Sequence, residues 1–228
     1  MDYEVNVSLF AFPLGLAVGL AVTALLVVIE RKWGNRHAVA TLRSPRVSCW
    51  LLALTAMFMV AGGSLPQLAH FSTSLPFVVL LVALEVHLTL VILHRLQSFS
   101  PRRDWTFFMV HVGLWLALFS GLAGAGDTKT SRIIVPRHGA DLSPANYSAT
   151  IVKDGDTIRL AVNSPHRASL AEDLYLIDYD TDIITGEVNC CIILSVVQPW
   201  KYPMLTGIVM LICGSLAMIL KKGKEATS

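Results

Sequence analysis

The sequence predicts a mainly α-helical membrane protein with five transmembrane helices and a small extracytoplasmic β-rich domain before the last helix. Three observations predict this fold class. Of the 228 residues, 54% are hydrophobic and only 15% are charged, whereas about a quarter of the residues in a soluble domain are charged. Five apolar stretches approach the roughly 20 residues that a helix needs to cross a bilayer. The basic residues are concentrated between alternate stretches.

The five predicted spans are residues 10–29, 47–63, 76–94, 105–125 and 202–220. The second span is short, and Ser64 and Leu65 can extend it. The N-terminal sequence MDYEVNVS is acidic where a secretory signal peptide is basic, and no A-x-A-like cleavage site follows it. We therefore expect the first stretch to be a retained span.

Lys and Arg indicate the orientation of the chain. Segments 31–46 and 95–104, together with the C-terminal tail, hold 11 of the 18 basic residues. The positive-inside rule assigns these segments to the cytoplasm. The N-terminus and residues 126–201 are then extracytoplasmic, and the C-terminus is cytoplasmic. The predicted location is the cell inner (cytoplasmic) membrane, as a multi-pass protein.

The predicted domains are a four-helix membrane region (1–125), a β-rich domain (126–201) and the last helix with its basic tail (202–228). The β-rich domain holds 10 acidic and 7 basic residues, a balance that argues against a nucleic-acid-binding surface. The sequence YSATIVKDGDTIRLAV alternates on both sides of Asp154-Gly155, which predicts a hairpin. DLYLIDYDTD and NCCIILSVVQP predict two more strands. The domain contains no nucleophile–base pattern or phosphate-binding loop, so no catalytic residue is predicted.

Cys190 and Cys191 are adjacent in a predicted strand, where neighbouring side chains point to opposite faces. We expect one buried and one exposed thiol. The alternative is a pair that exchanges thiols with an apocytochrome.

Three ionisable residues lie inside predicted spans, namely Glu85, His87 and His111. Such residues are costly in hydrocarbon and are functional candidates. At about 1.5 Å per residue, both histidines lie roughly 10 Å from the inner interface. Their spans are antiparallel and joined by a short basic loop, so the two imidazoles are predicted at one level. Glu85 is about 200° around the helix from His87, and we expect it to bond to another span or to a missing subunit.

Imidazoles at this depth can ligate haem iron, whose flat apolar ring suits a slot between helices. Gly113 lacks a side chain and would admit either a planar ligand or a neighbouring helix. The alternative for each histidine is an interhelical hydrogen bond, which explains His87 as well as ligation does.

The order of four segments resembles a known family. The segments are GGSLPQ (62–67), LEVHLTLVILHRL (84–96), HVGLWLALFSGLAGAG (111–126) and VVQPWKYPMLTGIVMLICGSL (196–216). The chain resembles the ResB family, also called CcsB, of the system II cytochrome c maturation machinery. That family typically has Pro-Gln after a span, a span ending in Arg, a span opening with His-x-Gly, and a last span entered through Pro, Tyr and Gly.

The resemblance implies that this chain works with a CcsA-type membrane protein, which bears a tryptophan-rich haem-handling segment. Together they would deliver haem across the membrane for thioether attachment to apocytochrome c. His111 matches the His-x-Gly position and would be an axial ligand of the haem iron, and His87 is a second candidate for haem binding. The haem would be b-type and transient, and the chain would be an accessory subunit of a haem-lyase complex. Its own tryptophans are scattered and its external domain is small, so a partner is required.

Two other functions are compatible with the same residues. A haem b-containing membrane anchor would pass electrons from quinol to an external redox enzyme, using His87 and His111 as its two ligands. A non-haem membrane scaffold would use the histidines only to join helices.

Overall fold

The computed structural model describes residues 6, 10–64, 73–137, 140–143, 148–153, 155–181 and 188–226. The chain forms two compact units. The first contains Met1–Gly126 and Trp200–Ser228, and the second contains Asp127–Pro199. The predicted boundaries, after residues 125 and 201, lie close to the boundaries between these units.

The described part of the first unit is helical. Its helices are α1 (Leu14–Trp33), α2 (His37–Leu42), α3 (Pro45–Ser64), α4 (Leu75–Leu96), α5 (Pro101–Asp127) and α6 (Lys201–Ala226). All except the short α2 are long and apolar enough to cross a membrane. The candidate spans are Leu14–Trp33, Pro45–Gly62, Leu75–Leu96, Arg103–Asp127 and Lys201–Lys221. The predicted fold class is therefore confirmed: the chain is a multi-pass membrane protein with five candidate spans. Helix α2 was not predicted.

Helix α4 is the central helix of the first unit. It begins after Ser74 with Pro76 in its first turn, a position where the missing proline N–H costs nothing, and its last turn contains His94 and Arg95. A larger share of its span is buried than of any other candidate span. Leu84 and Leu90 are each 2% exposed. Helices α1 and α3 both pack against α4, while much of their remaining apolar surface is exposed, as expected of helices that face lipid.

Helices α5 and α6 approach each other along small residues. A Cβ added to Gly113 would lie 2.7 Å from the carbonyl oxygen of Gly207. A Cβ added to Gly207 would lie 2.6 Å from the backbone nitrogen of Ala117. Backbones pack this closely only where side chains are absent, as in many membrane helix pairs. Of the two explanations for Gly113, a planar ligand or a neighbouring helix, the structure shows the neighbouring helix.

The second unit consists of two antiparallel sheets. Its strands are β1 (Lys129–Pro136), β2 (Ala140–Ser143), β3 (Ser148–Lys153), β4 (Asp156–Ala161), β5 (His166–Arg167), β6 (Glu172–Thr181) and β7 (Val188–Val197). One sheet has the order β1-β7-β6-β5 and the other β2-β3-β4. The predicted hairpin is confirmed, since β3 pairs with β4 and Lys153 lies opposite Asp156. Gly155 in its turn has φ +92°, a conformation that favours glycine. The predicted strands β6 and β7 are also present, whereas β1, β2 and β5 were not predicted.

The core of the second unit lies between the two sheets. Its buried residues are Ala149, Ile151, Ile158, Leu160, Leu174, Leu176, Cys191 and Ile193. Burial alternates along β7, so Cys191 is fully buried while Cys190 points to the other face, with its Sγ 3.9 Å from Asp180 Oδ2. The expected buried thiol is that of Cys191, whereas Cys190, the thiol expected to be exposed, is only partly exposed; both thiols are free.

An ionic contact joins the two sheets at Glu172. Its Oε1 accepts hydrogen bonds from Nζ of Lys153 on β3 and from Oγ of Ser195 on β7, each at 2.6 Å. The bond from Lys153, followed by that from Ser195, lowers the pKa of Glu172 below its usual value. The contact therefore stabilises the second unit only while Glu172 is ionised.

Candidate functional site

His87 connects three helices through both of its ring nitrogens. The residue is 4% exposed. Its Nδ1 lies 2.6 Å from the carbonyl oxygen of Leu42, and its Nε2 lies 2.6 Å from Oγ of Ser48. A carbonyl oxygen only accepts, so Nδ1 carries the proton and donates it to Leu42, and Nε2 of the neutral ring accepts from the Ser48 hydroxyl. Leu42 ends α2, where the last carbonyls have no partner within the helix. His87 thus ties α2 and α3 to α4.

His111 on α5 has a different arrangement. Its Nδ1 lies 2.9 Å from the carbonyl oxygen of Phe107, one turn earlier in the same helix, and must donate to it. The imidazole also stacks on the Phe107 ring, with ring centroids 3.9 Å apart and planes inclined by 23°. The guanidinium of Arg95 lies 5.7 Å from the centroid of the same phenyl ring. None of the residues that the structure describes makes a hydrogen bond to Nε2 of His111. Its lone pair is therefore available.

The structure brings His87 and His111 together at one cavity of about 180 Å³ between α3, α4 and α5. The cavity is lined by Ser48, Leu52, Leu84, His87, Leu88, Val91, Val110, His111 and Leu114. Apart from Ser48 and the two histidines, its wall is apolar. The cavity thus combines an apolar wall with the side chains of two histidines.

Helices α4 and α5 are held as neighbours by polar contacts near both ends of the cavity. Nε1 of Trp115 donates to Oγ1 of Thr89 at 2.9 Å, and that hydroxyl donates to the carbonyl oxygen of Glu85 at 2.8 Å. At the loop, the buried carboxylate of Asp104 accepts hydrogen bonds from Arg95 and Arg103. These contacts fix the position of His111 relative to α4.

The carboxyl group of Glu85 lacks hydrogen-bond partners inside the described part of the first unit. Both of its carboxyl oxygens are buried and have no hydrogen-bond partner among the described residues. The residue lines a second cavity of about 120 Å³, and the stacked rings of Trp115 and Phe119 form part of the same wall. A buried acceptor without a donor is costly. A donor from outside the described residues would remove that cost.

A second cluster of ionisable residues was missed by the sequence analysis. Glu30, at the end of α1, accepts hydrogen bonds from Nη1 of Arg43 at 2.7 Å and from Nδ1 of His94 at 2.9 Å. Glu30 lies just beyond the predicted span 10–29 and was not flagged as an intramembrane residue. The available signal was a single acidic residue directly before Arg31 and Lys32 in a basic segment.

Several sequence features lie outside the described residues. These are His70, His138 and the Pro-Gln pair at 66–67. Within the described ranges, no group of three or more His, Cys, Asp or Glu residues could hold a metal ion by itself. The site around His111 therefore supplies single nitrogen donors and not a complete set of ligands.

No protein-family model, curated protein sequence or solved structure matches this chain. The resemblance to the ResB family consequently rests on the order of its short motifs and on the predicted topology. It stays a prediction.

Proposed function

We propose that this chain is the ResB-like subunit of a cytochrome c assembly complex. Together with a CcsA-type partner it delivers haem across the membrane for thioether attachment to apocytochrome c. The second unit and the N-terminus then face the extracytoplasmic side, and the C-terminus faces the cytoplasm, as the basic segments predict. The chain binds and positions haem and supplies no acid–base or nucleophilic residue.

The arrangement of His111 is the observation that supports this proposal. Metal-binding histidines usually donate their second ring N–H to a carbonyl or carboxylate, which fixes the tautomer and the ring orientation. In His111 the Nδ1–H donates a hydrogen bond to the Phe107 carbonyl, and the stacked phenyl ring restrains the imidazole. Nε2 keeps its lone pair, and the residue lines an apolar cavity. In this state His111 could hold the haem iron through Nε2.

The size of the cavity indicates that this chain alone does not provide a whole haem site. At about 180 Å³ it is smaller than the roughly 300–1,000 Å³ of ordinary ligand sites, and a porphyrin is a large ligand. His111 and the apolar residues around it would hold only part of a haem, and the rest of the site would come from the partner. Bound haem supplies the iron and the vinyl groups that react with the apocytochrome thiols.

The unpaired carboxyl group of Glu85 also supports a partner. Its two oxygens need a donor that the described residues do not provide, and a helix of a second membrane protein can provide one.

The electron-transfer anchor has less support than the assembly subunit. That function needs two histidine ligands within the chain. Nε2 of His87 accepts the Ser48 hydrogen bond, so His87 can serve as the second ligand only after Ser48 releases it. Ligation of haem iron by His87 therefore stays a prediction, and it requires that the hydrogen bond from Ser48 be broken. The scaffold function explains the bonds of His87 but leaves Nε2 of His111 unused.

The test is haem retention by the complex. The chain is purified with its membrane partner, and reduced-minus-oxidised and pyridine haemochrome spectra are recorded for the wild type, His111→Gly and His37→Ala. His37 is an exposed histidine of α2 and serves as the matched control. We expect His111→Gly to lose haem, imidazole added to that variant to restore it, and His37→Ala to retain it.

Haem that survives His111→Gly unchanged would refute the assignment of the ligand. If no preparation of the wild-type complex contains haem, the result would favour the scaffold function. Deletion of the chain gives a second comparison: loss of all c-type cytochromes agrees with assembly, whereas loss of one respiratory enzyme alone favours the electron-transfer anchor.

A further inference from the structure

The carboxylate of Glu30 has one oxygen that nothing in the described structure satisfies. The residue is 4% exposed. Oε1 accepts from both Arg43 and His94, whereas Oε2 is buried and has no hydrogen-bond partner among the described residues. A buried charged oxygen without a donor is strongly unfavourable. The carboxylate therefore needs one further N–H or O–H group.

Glu30 forms part of the wall of a cavity of about 480 Å³. The cavity lies between the ends of α1 and α4. Its polar wall contains Glu30, Arg31, Lys32, Asn35 and Gln97, and its apolar wall contains Val27, Leu93 and Leu96. The volume is within the roughly 300–1,000 Å³ range of ligand sites.

Two exposed cations, Arg31 and Lys32, lie in the same wall. No carboxylate in the described part of the chain pairs with Arg31 or Lys32, and Nζ of Lys32 lies 5.2 Å from the centroid of the Trp33 ring. Both cations follow directly after an apolar span. Tryptophan and basic residues at the end of a span mark the level of the lipid head groups, and basic pockets between helices at that level bind lipid head groups.

We propose that this cavity binds the head group of a phospholipid that carries a primary ammonium, a phosphoethanolamine. The phosphate contacts Arg31 and Lys32. The Glu30 side chain, which lines the cavity, rotates so that its buried Oε2 accepts a hydrogen bond from the ammonium. The acyl chains begin along the apolar wall formed by Val27, Leu93 and Leu96. The bound lipid joins the ends of α1 and α4.

The combination of groups favours this head group over two related ones. A phosphoglycerol lipid offers a phosphate but no cation for the Glu30 carboxylate. A phosphocholine lipid carries a cation of the same charge, but its trimethylated nitrogen has no N–H to donate. Of these three head groups, the phosphoethanolamine alone offers both an anion for the two cations and an N–H donor for the unpartnered oxygen. The proposal does not depend on the proposed role in haem delivery.

The test measures lipid binding by the full chain, delipidated in detergent, using native mass spectrometry. Phospholipids with matched acyl chains and ethanolamine, choline or glycerol head groups are titrated separately, and inorganic phosphate is titrated as the soluble anion. A charge-assisted hydrogen bond corresponds to roughly a tenfold to hundredfold change in affinity. We expect the ethanolamine lipid to bind at least about tenfold more tightly than the choline lipid, and phosphate alone to bind weakly.

Variants identify the cavity as the binding site. The double variant Arg31→Gln, Lys32→Gln removes both cations and is expected to weaken ethanolamine-lipid binding at least about tenfold. Arg36→Gln removes a neighbouring exposed cation that does not line the cavity and is expected to change nothing. Glu30→Gln is expected to abolish the preference for ethanolamine over choline, provided that the variant folds.

Equal binding of ethanolamine and choline lipids to the wild type would overturn the role of Glu30, whatever the Glu30 variant does. Tightest binding of the glycerol lipid would indicate an anionic-lipid site and overturn the proposal. Full competition of inorganic phosphate with the lipid would also overturn the proposal. Unchanged lipid binding by the double variant would overturn it as well.

Discussion

The hydrogen bond between Ser48 and His87 gives a quantitative prediction about how the helices are held together. Ser48→Ala removes the donor to Nε2 of a ring that is 4% exposed. A buried acceptor left unpaired costs about 1–3 kcal/mol in soluble proteins. Interhelical hydrogen bonds measured in membrane proteins average about 0.6 kcal/mol and reach about 1.7 kcal/mol. The membrane values apply here because the unfolded helices remain in an apolar phase, and the short 2.6 Å bond belongs to the upper part of that range.

We therefore expect Ser48→Ala to lower the free energy of unfolding by about 1–1.5 kcal/mol. His87→Ala also removes the bond to Leu42 and the packing of the ring, and we expect about 2–4 kcal/mol. The double variant should be less destabilised than the sum of the single variants, with a coupling energy of about 1 kcal/mol.

The assay is unfolding of the full chain in bicelles by an SDS titration, followed by tryptophan fluorescence. Thr55→Val is the control, because Thr55 is a buried hydroxyl on the same helix α3 that donates only to the carbonyl of Leu51 in its own helix. A coupling energy below about 0.3 kcal/mol would refute a stabilising hydrogen bond between Ser48 and His87, since such a value is within the error of additivity. A rise in haem occupancy on Ser48→Ala would instead indicate that His87 is a ligand that Ser48 restrains.

Three further predictions concern other parts of the chain. Gly113→Ala should lower the thermal unfolding midpoint in detergent, because the added Cβ would lie 2.7 Å from a backbone oxygen of α6, whereas Gly121→Ala, with nothing within 4 Å, should not. Since the pKa of Glu172 is lowered in the folded state, its contact with Lys153 contributes stability above the usual carboxyl pKa and loses it as the pH falls through the lowered value. After correction for the intrinsic pH dependence of amide exchange, the protection of the second unit should therefore fall below about pH 5 in the wild type and less steeply in Glu172→Gln. The difference should correspond to at most about 1 kcal/mol. The thiol of Cys190 should react with a water-soluble maleimide in the folded protein, while its buried neighbour on β7 should not.

Each of these three predictions has an outcome that would contradict it. Equal midpoints for the two alanine variants would mean that α5 and α6 do not pack through Gly113. An identical acid dependence in Glu172→Gln would assign the titration to another group. Equal reaction of both cysteine thiols would mean that β7 does not present alternate faces to the core and the surface.

The helices and the main hairpin could be predicted from the sequence because each depends on local composition. Five long apolar stretches are sufficient evidence for five helices, since a bilayer leaves the backbone no other way to satisfy its hydrogen bonds within a single stretch. The hairpin depends on alternation and on a glycine in its turn. Strand β1 was missed because its side chains are nearly all exposed, so it lacks the alternating pattern that marks a half-buried strand.

The candidate site was predicted only in part. Counting along two antiparallel helices was enough to bring His87 and His111 to one level, and the structure places both at one cavity. The counting did not show that Ser48 binds His87, because Ser48 is 39 residues away in the sequence and its approach depends on how α3 is rotated. The buried cluster around Glu30 was missed for the same reason, since His94 lies 64 residues from Glu30.

The sequence by itself determined the class of protein, its five spans, the order of its parts and the residues that are expensive to bury. These follow from length, charge and periodicity, which are properties of the chain alone. Only the tertiary structure decided which nitrogen of each imidazole is occupied, that α6 lies against Gly113, and that Glu30 needs one more donor. Such features depend on the rotation and close approach of helices, which composition does not encode. The sequence identified His111 as an ionisable residue whose placement in an apolar span is unfavourable. The structure showed that its Nδ1 is occupied by a hydrogen bond and that its Nε2 has no described partner.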